Sequence, residues 1–456
     1  MERISAGRAL MGDSLGFHLI LIIFGVALPL LISGLELYGL ITHRPRARAL
    51  ARTWSKALVV LFIAGAVSGT AISMQFNLVW PKFLEFINKP VGLAFALEGT
   101  AFMVEAVFLS VYMLSWDRFK PWLHWVLSIP LWVGSFTSAI FITSVNAFMN
   151  QPAGFTIGKD GLPTNINVAK AIFNPATFTE VAHSVAAYVC ASIFMILALY
   201  AWLYIKPRHA KDRSWMKKLI LGLAVAGFLS ACLVGVFGDM SARYLARYEP
   251  YKLAAAEGQL QTQSHAPLLI GGVVSGGQIK YAIKVPSMLS FLATHNFGAE
   301  VQGLDKTAPV NRPPLVIHYF FDLMVLSGIL LVCIPALFLF LYKVKPRWAF
   351  NQPFFYVLIA LGPCALLATE FGWLLTELGR QPYIVHGYLK VGDALTTNPA
   401  VIRLGLMFPL FYVALLTLTV IVLRKTMYHQ GMSPRVSSTI KANNIVKADS
   451  PKKVKV

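Results

Sequence analysis

The chain is 456 residues long, 57% hydrophobic and only 13% charged, with a mean hydropathy of +0.63. That balance excludes a water-soluble protein, because a soluble chain of this length needs far more polar surface to cover its core. The 40 Lys and Arg against 20 Asp and Glu give a formal charge of +20, but once the loops are assigned to sides of a membrane no basic patch is left over, so nucleic acid is not expected as a partner.

Apolar runs long enough to cross a bilayer, about 20 residues each, recur along the whole chain. The first, at 14–41, is too long for a signal-peptide core and has no small-residue cleavage site soon after it, so it is read as a retained span; it carries His18. Runs at 55–79 and 91–115 follow, the latter with Glu98 and Glu105, then 122–149, 177–205 with His183, and 217–238. A long connection from Asp239 to Pro314 contains a short helical pattern from Tyr251 to Glu257 and then Gly- and Pro-punctuated sequence. A segment of that length inside a compact protein reads as a functional loop. Three more runs complete the pattern: 315–342, with His318, Asp322 and Met324 near its start, 353–379 with Glu370 and Glu377, and 402–424. The tail beyond Thr426, rich in Ser, Lys and Asn, reads as disordered.

The expected fold class is therefore an all-α integral membrane protein of nine transmembrane helices. It divides into six helices over 1–238, a loop layer over 239–314, three helices over 315–424 and a basic tail over 425–456. One set of loops, with Arg44 to Lys56, Arg118 and Lys120, Lys206 to Lys218, Lys343 to Arg347 and the tail from Arg424, holds 24 of the 40 basic residues. By the positive-inside rule these face the cytoplasm, so the N-terminus is expected outside and the C-terminus inside. The four cysteines, Cys190, Cys232, Cys333 and Cys364, lie in apolar segments with no C-x-x-C or C-x-x-C-H spacing. Disulfides, zinc sites and covalent c-type haem are accordingly not expected.

Ionisable groups inside spans are costly, and each is a functional candidate. With this orientation His18, Glu98, His183 and Met324 fall early in helices running inward, and Glu377 late in a helix running outward. All five converge on one layer toward the outer face, as a buried cofactor cluster requires. Taken singly, an intramembrane His reads equally as an interhelical link, and a Met as core filler. Together, imidazole and thioether form a usual axial pair for a low-spin haem, b-type in the absence of a C-x-x-C-H motif. Glu98 and Glu105 are two turns apart, and Glu370, Trp373 and Glu377 share an i, i+3, i+7 face, so both helices carry lines of carboxyls suited to moving protons.

At this point the residues resemble subunit I of the cytochrome bd-type quinol oxidases. G-W-L-L-T-E-L-G-R-Q-P-Y, Gly372 to Tyr383, is similar to the family's G-W-x-x-x-E-x-G-R-Q-P-W signature. L-E-G-T-A-F-M-V-E-A followed by S-W-D-R, Leu97 to Arg118, resembles its two-glutamate helix, S-L-G-F-H, Ser14 to His18, its first-helix haem segment, and V-A-H-S-V-A-A-Y, Val181 to Tyr188, its fifth-helix one. G-D-M-S-A-R-Y and K-L-A-A-A-E, between Gly238 and Glu257, resemble the start of its quinol-binding loop, of the short kind.

The resemblance implies His183 and Met324 as axial ligands of a low-spin haem b, and His18 and Glu377 as ligands of two high-spin haems, one b-type and one d-type, with the assignment of haem d between them open. It implies Glu98 and Glu105 as acids of the oxygen site and its proton path, Lys252 and Glu257 as quinol-loop residues, and Arg380 and Trp373 as groups around the haems. It further implies quinol and O2 as substrates, subunit II of the oxidase as partner with a small accessory subunit left open, and a multi-pass location in the cell membrane. Quinol oxidised at the outer loop would release protons outside while water formation consumes protons from inside, charging the membrane without pumping. Tyr383 stands where the signature has Trp, and Asp322 where many members have Arg or Gln, departures that bear on haem tuning more than on ligation. The alternatives are a haem-bearing relative that transfers electrons without reducing O2, and a proton-coupled transporter using the same buried acids.

Overall fold

The structure is a computed structural model that describes residues 3–429. Among the described residues nine helices are long and apolar enough to cross a membrane. They are Arg3–Ile41, Pro45–Val79, Pro81–Ser115, Pro121–Asn150, Thr177–Ile205, Arg213–Tyr248, Ile317–Val344, Gln352–Gly379 and Ala400–His429, and they are numbered first to ninth below. Proline opens several of them. Pro45, Pro81 and Pro121 occupy the first turn, where the missing N–H costs nothing and the fixed φ suits a helix.

Most helices extend past the apolar run that predicts them. The sixth continues ten residues beyond 238 to Tyr248, where an i,i+4 pair of Asp239 and Arg243 at 2.6 Å supports the extra turns. The ninth reaches His429, so the start of the segment read as a tail is helical, and 430–456 lies outside the described residues.

The first and fifth helices are the most enclosed. They pack on each other and on the second, fourth and eighth around Leu58, Phe194, Tyr200, Phe338 and Phe355. A second core, with Phe83, Phe148 and Val391, lies toward the end that carries the long loop. Large apolar side chains remain exposed on the outside of the bundle, among them Met103, Phe340 and Leu410, which suits a surface solvated by lipid.

The loop itself is ordered. A short helix covers Pro250–Ala256, and a nested hairpin pairs Leu268–Ile270 with Ile283–Val285 and Val273–Ser275 with Gln278–Lys280. Gly276 and Gly277 close the inner hairpin with φ of +58° and +72°, the two left-handed positions of a two-residue turn. The hairpin is fixed to the seventh helix. Gly271 N–H donates to Asp322 at 2.6 Å and Val274 N–H to the Tyr319 hydroxyl at 2.6 Å. His318 reaches the carbonyls of Ala256 and Gly271 at 2.7 and 3.0 Å.

Candidate functional site

A single cavity of about 1450 Å³ runs between the helices and is lined by His18, Glu98, Glu105, His183, Met324, Trp373, Glu377, Arg380, Lys252 and Glu257. Every ligand, acid and loop residue that the resemblance implies therefore meets the same space. The volume exceeds the roughly 300–1,000 Å³ of an ordinary small-molecule site, so there is room for more than one large cofactor. His318 and Asp322, also ionisable and in a span, stand apart from it and clamp the loop hairpin instead.

The surroundings of the candidate donors bear on whether they could act as ligands. The Ser68 hydroxyl donates to the Gly65 carbonyl at 3.0 Å, so its oxygen is free to accept from His18 Nδ1–H at 2.7 Å. That bond sets the tautomer and leaves Nε2 with its lone pair. The His183 ring is buried against the sixth helix, at the backbone of Val234.

Each side chain also sits against a glycine of the neighbouring helix. A Cβ on Gly69 would stand 3.2 Å from the His18 ring, on Gly238 3.4 Å from the His183 ring, and on Gly372 3.0 Å from Met324 Sδ. Gly16 similarly lets the first helix approach Glu370 and Trp373, each 3.5 Å from where its Cβ would be.

Glu377 is held by Asn146 Nδ2, donating to Oε1 at 2.5 Å, and by Arg380, donating to Oε2 at 2.5 Å. Each oxygen keeps a further lone pair. Among the described residues no three His, Cys, Asp or Glu side chains converge as a bare metal ion would need. Single donors facing a wide cavity suit a macrocycle that brings its own nitrogen ligands, so the residues present fit haem.

The polar groups around these donors form a network that reading ionisable residues alone overlooks. Asn150 is fully buried. Its Oδ1 accepts from Arg380 and from Lys252 Nζ, both at 3.0 Å, and its Nδ2 donates to Glu180 at 2.8 Å and to Asn146 at 3.0 Å. Lys252 also pairs with Glu249, and its stem packs where a Cβ on Gly379 would lie. The available signal was Asn146 and Asn150, two amides one turn apart in an otherwise apolar run.

Glu98 accepts from Ser138 at 3.1 Å, and Glu105 Oε1 is buried without a partner. Glu257, in the loop layer, is likewise buried with Oε2 unpartnered. Burial, and then the charge of Asp322, push its carboxyl up to about 8.

Comparison with known proteins bears on this arrangement directly. The family model for cytochrome bd terminal oxidase subunit I matches residues 6–431. The chain is 36% identical over 420 residues to the putative cytochrome bd menaquinol oxidase subunit I of Bacillus subtilis (strain 168), covering 91% of this chain and 94% of that protein. It is 25% identical over 458 residues to the cytochrome bd ubiquinol oxidase subunit 1 of the same organism, covering 94% and 96%. The solved bd oxidase structure from Geobacillus thermodenitrificans superposes with a TM-score of 0.89 at 37% identity, covering 94% of this chain and 99% of that one. With the match running nearly end to end in sequence and in fold, the chain belongs to the cytochrome bd terminal oxidase subunit I family.

Proposed function

We propose that this subunit oxidises membrane quinol at the loop end of the bundle, on the outer side, and supports reduction of O2 to water with protons drawn from the cytoplasmic, basic end. The membrane is charged without pumping, because protons are released on one side and consumed from the other. The observation that carries this reading is the convergence of His18, His183, Met324 and Glu377 on one cavity together with Glu98 and Glu105.

His183 and Met324 would hold a low-spin haem b, and His18 and Glu377 a high-spin haem b and a haem d, in an order left open. When bound, these groups carry the electrons and bind oxygen. The chain's own residues do the rest. Ser68 orients His18, while Asn146 and Arg380 fix the Glu377 carboxylate, and Trp373 and Arg380 border the cavity. Lys252 and Glu257 approach the cavity from the loop layer, where a carboxyl still protonated at neutral pH can donate to a quinol oxygen. Glu98 and Glu105 move protons along one helix face. The partner would be subunit II of the oxidase, in the cell membrane.

Haem extraction with visible spectra of the purified complex, reduced minus oxidised and with and without carbon monoxide, tests the reading. Low-spin b, high-spin b and d signals are expected. A complex with no CO-reactive high-spin haem would instead be an electron carrier, and a haem-free protein that still moved a solute would be a transporter.

A further inference from the structure

Away from the cavity lies a buried set of ionisable groups that no step above uses. Glu36, Tyr112 and His124, from the first, third and fourth helices, are fully buried near the basic end of the bundle. The Tyr112 hydroxyl donates to Glu36 Oε2 at 2.7 Å, and His124 Nδ1 lies 2.6 Å from Glu36 Oε1. His124 Nε2 faces the Tyr112 carbonyl at 3.1 Å. A carbonyl only accepts, so Nε2 carries a hydrogen, and one further proton is shared between Nδ1 and the Glu36 carboxyl. The imidazole is packed against the rings of Tyr112 and Trp116, with centroids 4.4 and 4.1 Å away. From the second helix Arg48 stands 4.0 Å from Glu36. Asp117, on the loop after the third helix, is engaged by Arg52. An acid and a base buried together are no better a clamp than apolar side chains of the same size, so their retention asks for another role.

What lies between this cluster and the cavity supplies one. On the third helix Tyr112, Glu105 and Glu98 follow at seven-residue intervals, two turns or roughly 10 Å each, on one face. Ser33, one turn from Glu36 toward the cavity, is 2.7 Å from Ser128 hydroxyl to hydroxyl. Seven residues on, the Ser135 hydroxyl, which donates to the Trp132 carbonyl of its own helix at 3.0 Å, stands 3.4 Å from the Val26 carbonyl, and Val26, Ser135 and Glu105 all reach the cavity wall. Gly134 brings the fourth helix against the third at that level, its Cβ position 3.4 Å from Glu105 N. Hydroxyl and carboxyl groups thus mark a seam between three helices from the basic end to the unpartnered oxygen of Glu105.

We propose that Glu36, Tyr112 and His124 form the proton-loading station of the path to Glu105, with the Ser33 and Ser128 hydroxyls and intervening water as relay. This rests on the proton-path reading of Glu105 above. In each transfer the shared Nδ1–H proton passes to a relay oxygen as that oxygen gives up its own proton toward Glu105, and His124 and Glu36 regain one from water at the basic end. No electron moves in the step.

The test uses the intact membrane complex in liposomes, with Glu36→Gln, His124→Gln and Tyr112→Phe beside Glu105→Ala. The readouts are haem reduction by quinol, oxygen consumption, proton uptake from the basic side, the pH profile of turnover, and the melting temperature. Glu36→Gln and His124→Gln are expected to slow oxygen consumption and proton uptake roughly tenfold or more, as loss of a proton-transfer group does. Haem reduction by quinol and melting should stay near the unaltered protein, and turnover should become steeper with rising pH. Tyr112→Phe, which keeps the ring packing, should show a smaller slowing of the same kind. Normal oxygen consumption in Glu36→Gln and His124→Gln while Glu105→Ala is slow overturns the station and leaves the Glu105 reading standing. Normal rates in all of them overturn the path reading itself. Parallel slowing of haem reduction and oxygen consumption, with lowered melting, makes the cluster a structural clamp and overturns the proposal.

Discussion

Asn150 carries more of the site than any ionisable residue around it, because two cations, Arg380 and Lys252, share its one carbonyl oxygen. Replacing it with Ala leaves both buried donors without that acceptor, at a cost of about 1–3 kcal/mol. A clear fall in the melting temperature of the purified complex is the expected outcome, and unchanged melting would contradict the role. Among the candidate ligands, His183→Ala or Met324→Leu is expected to abolish the low-spin b spectrum while the chain still inserts; an unchanged spectrum in both would remove the assignment. Glu257 gives a pH signature. Its carboxyl is raised from the usual 4.5 to about 8, so the folded protein keeps a proton that the unfolded chain releases. Its contribution to stability therefore falls as pH rises from about 4.5 to about 8 and is level beyond. On the functional side, the KM for quinol should rise as pH passes about 8, and Glu257→Gln should flatten that dependence; a Gln variant with the original profile would exclude Glu257 as its source.

At the scale of elements, glycines let helix backbones close on the candidate ligand side chains, and the adjoining helix decides the seat. Gly372→Ala puts a Cβ about 3.0 Å from Met324 Sδ, tighter than nine in ten real Cβ contacts, so the sulfur must give by a few tenths of an ångström. A shifted or weakened low-spin band is expected, measured against Gly222→Ala in the sixth helix, where a Cβ meets nothing within 4 Å. Equal spectra in the two variants would mean the seat is loose. These approaches were not legible beforehand, since a glycine in an apolar run has the same look whether its face is open, as at Gly222, or set against a sulfur. Helix ends behave alike. The apolar run ending near 238 marks the sixth span, but the helix continues to Tyr248 because a helical backbone satisfies itself wherever side chains such as Asp239 and Arg243 allow it, in lipid or out.

At the scale of the molecule, the third helix joins the two ends of the proposed chemistry, with Glu98 and Glu105 on the cavity and Tyr112 in the buried cluster. Glu105→Ala should slow oxygen reduction more than it slows haem reduction by quinol, measured by stopped flow and an oxygen electrode; equal slowing would count against a proton path. The amino-acid order by itself determined the nine membrane-length helices of the described residues and the short list of costly groups within them, because bilayer thickness sets the length of an apolar run and a charge in lipid is too expensive to keep without use. It also pointed to His18, His183, Met324 and Glu377, which stand out as polar or soft residues carried by motifs. The tertiary structure alone decided that these residues share one cavity, that Ser68 orients His18, that Asn150 balances Arg380 and Lys252, and that Glu36 meets His124. Each of those depends on which face of a helix meets which neighbour. Packing sets that meeting, and a neutral amide or hydroxyl satisfied across two helices leaves no period in the sequence by which to find it.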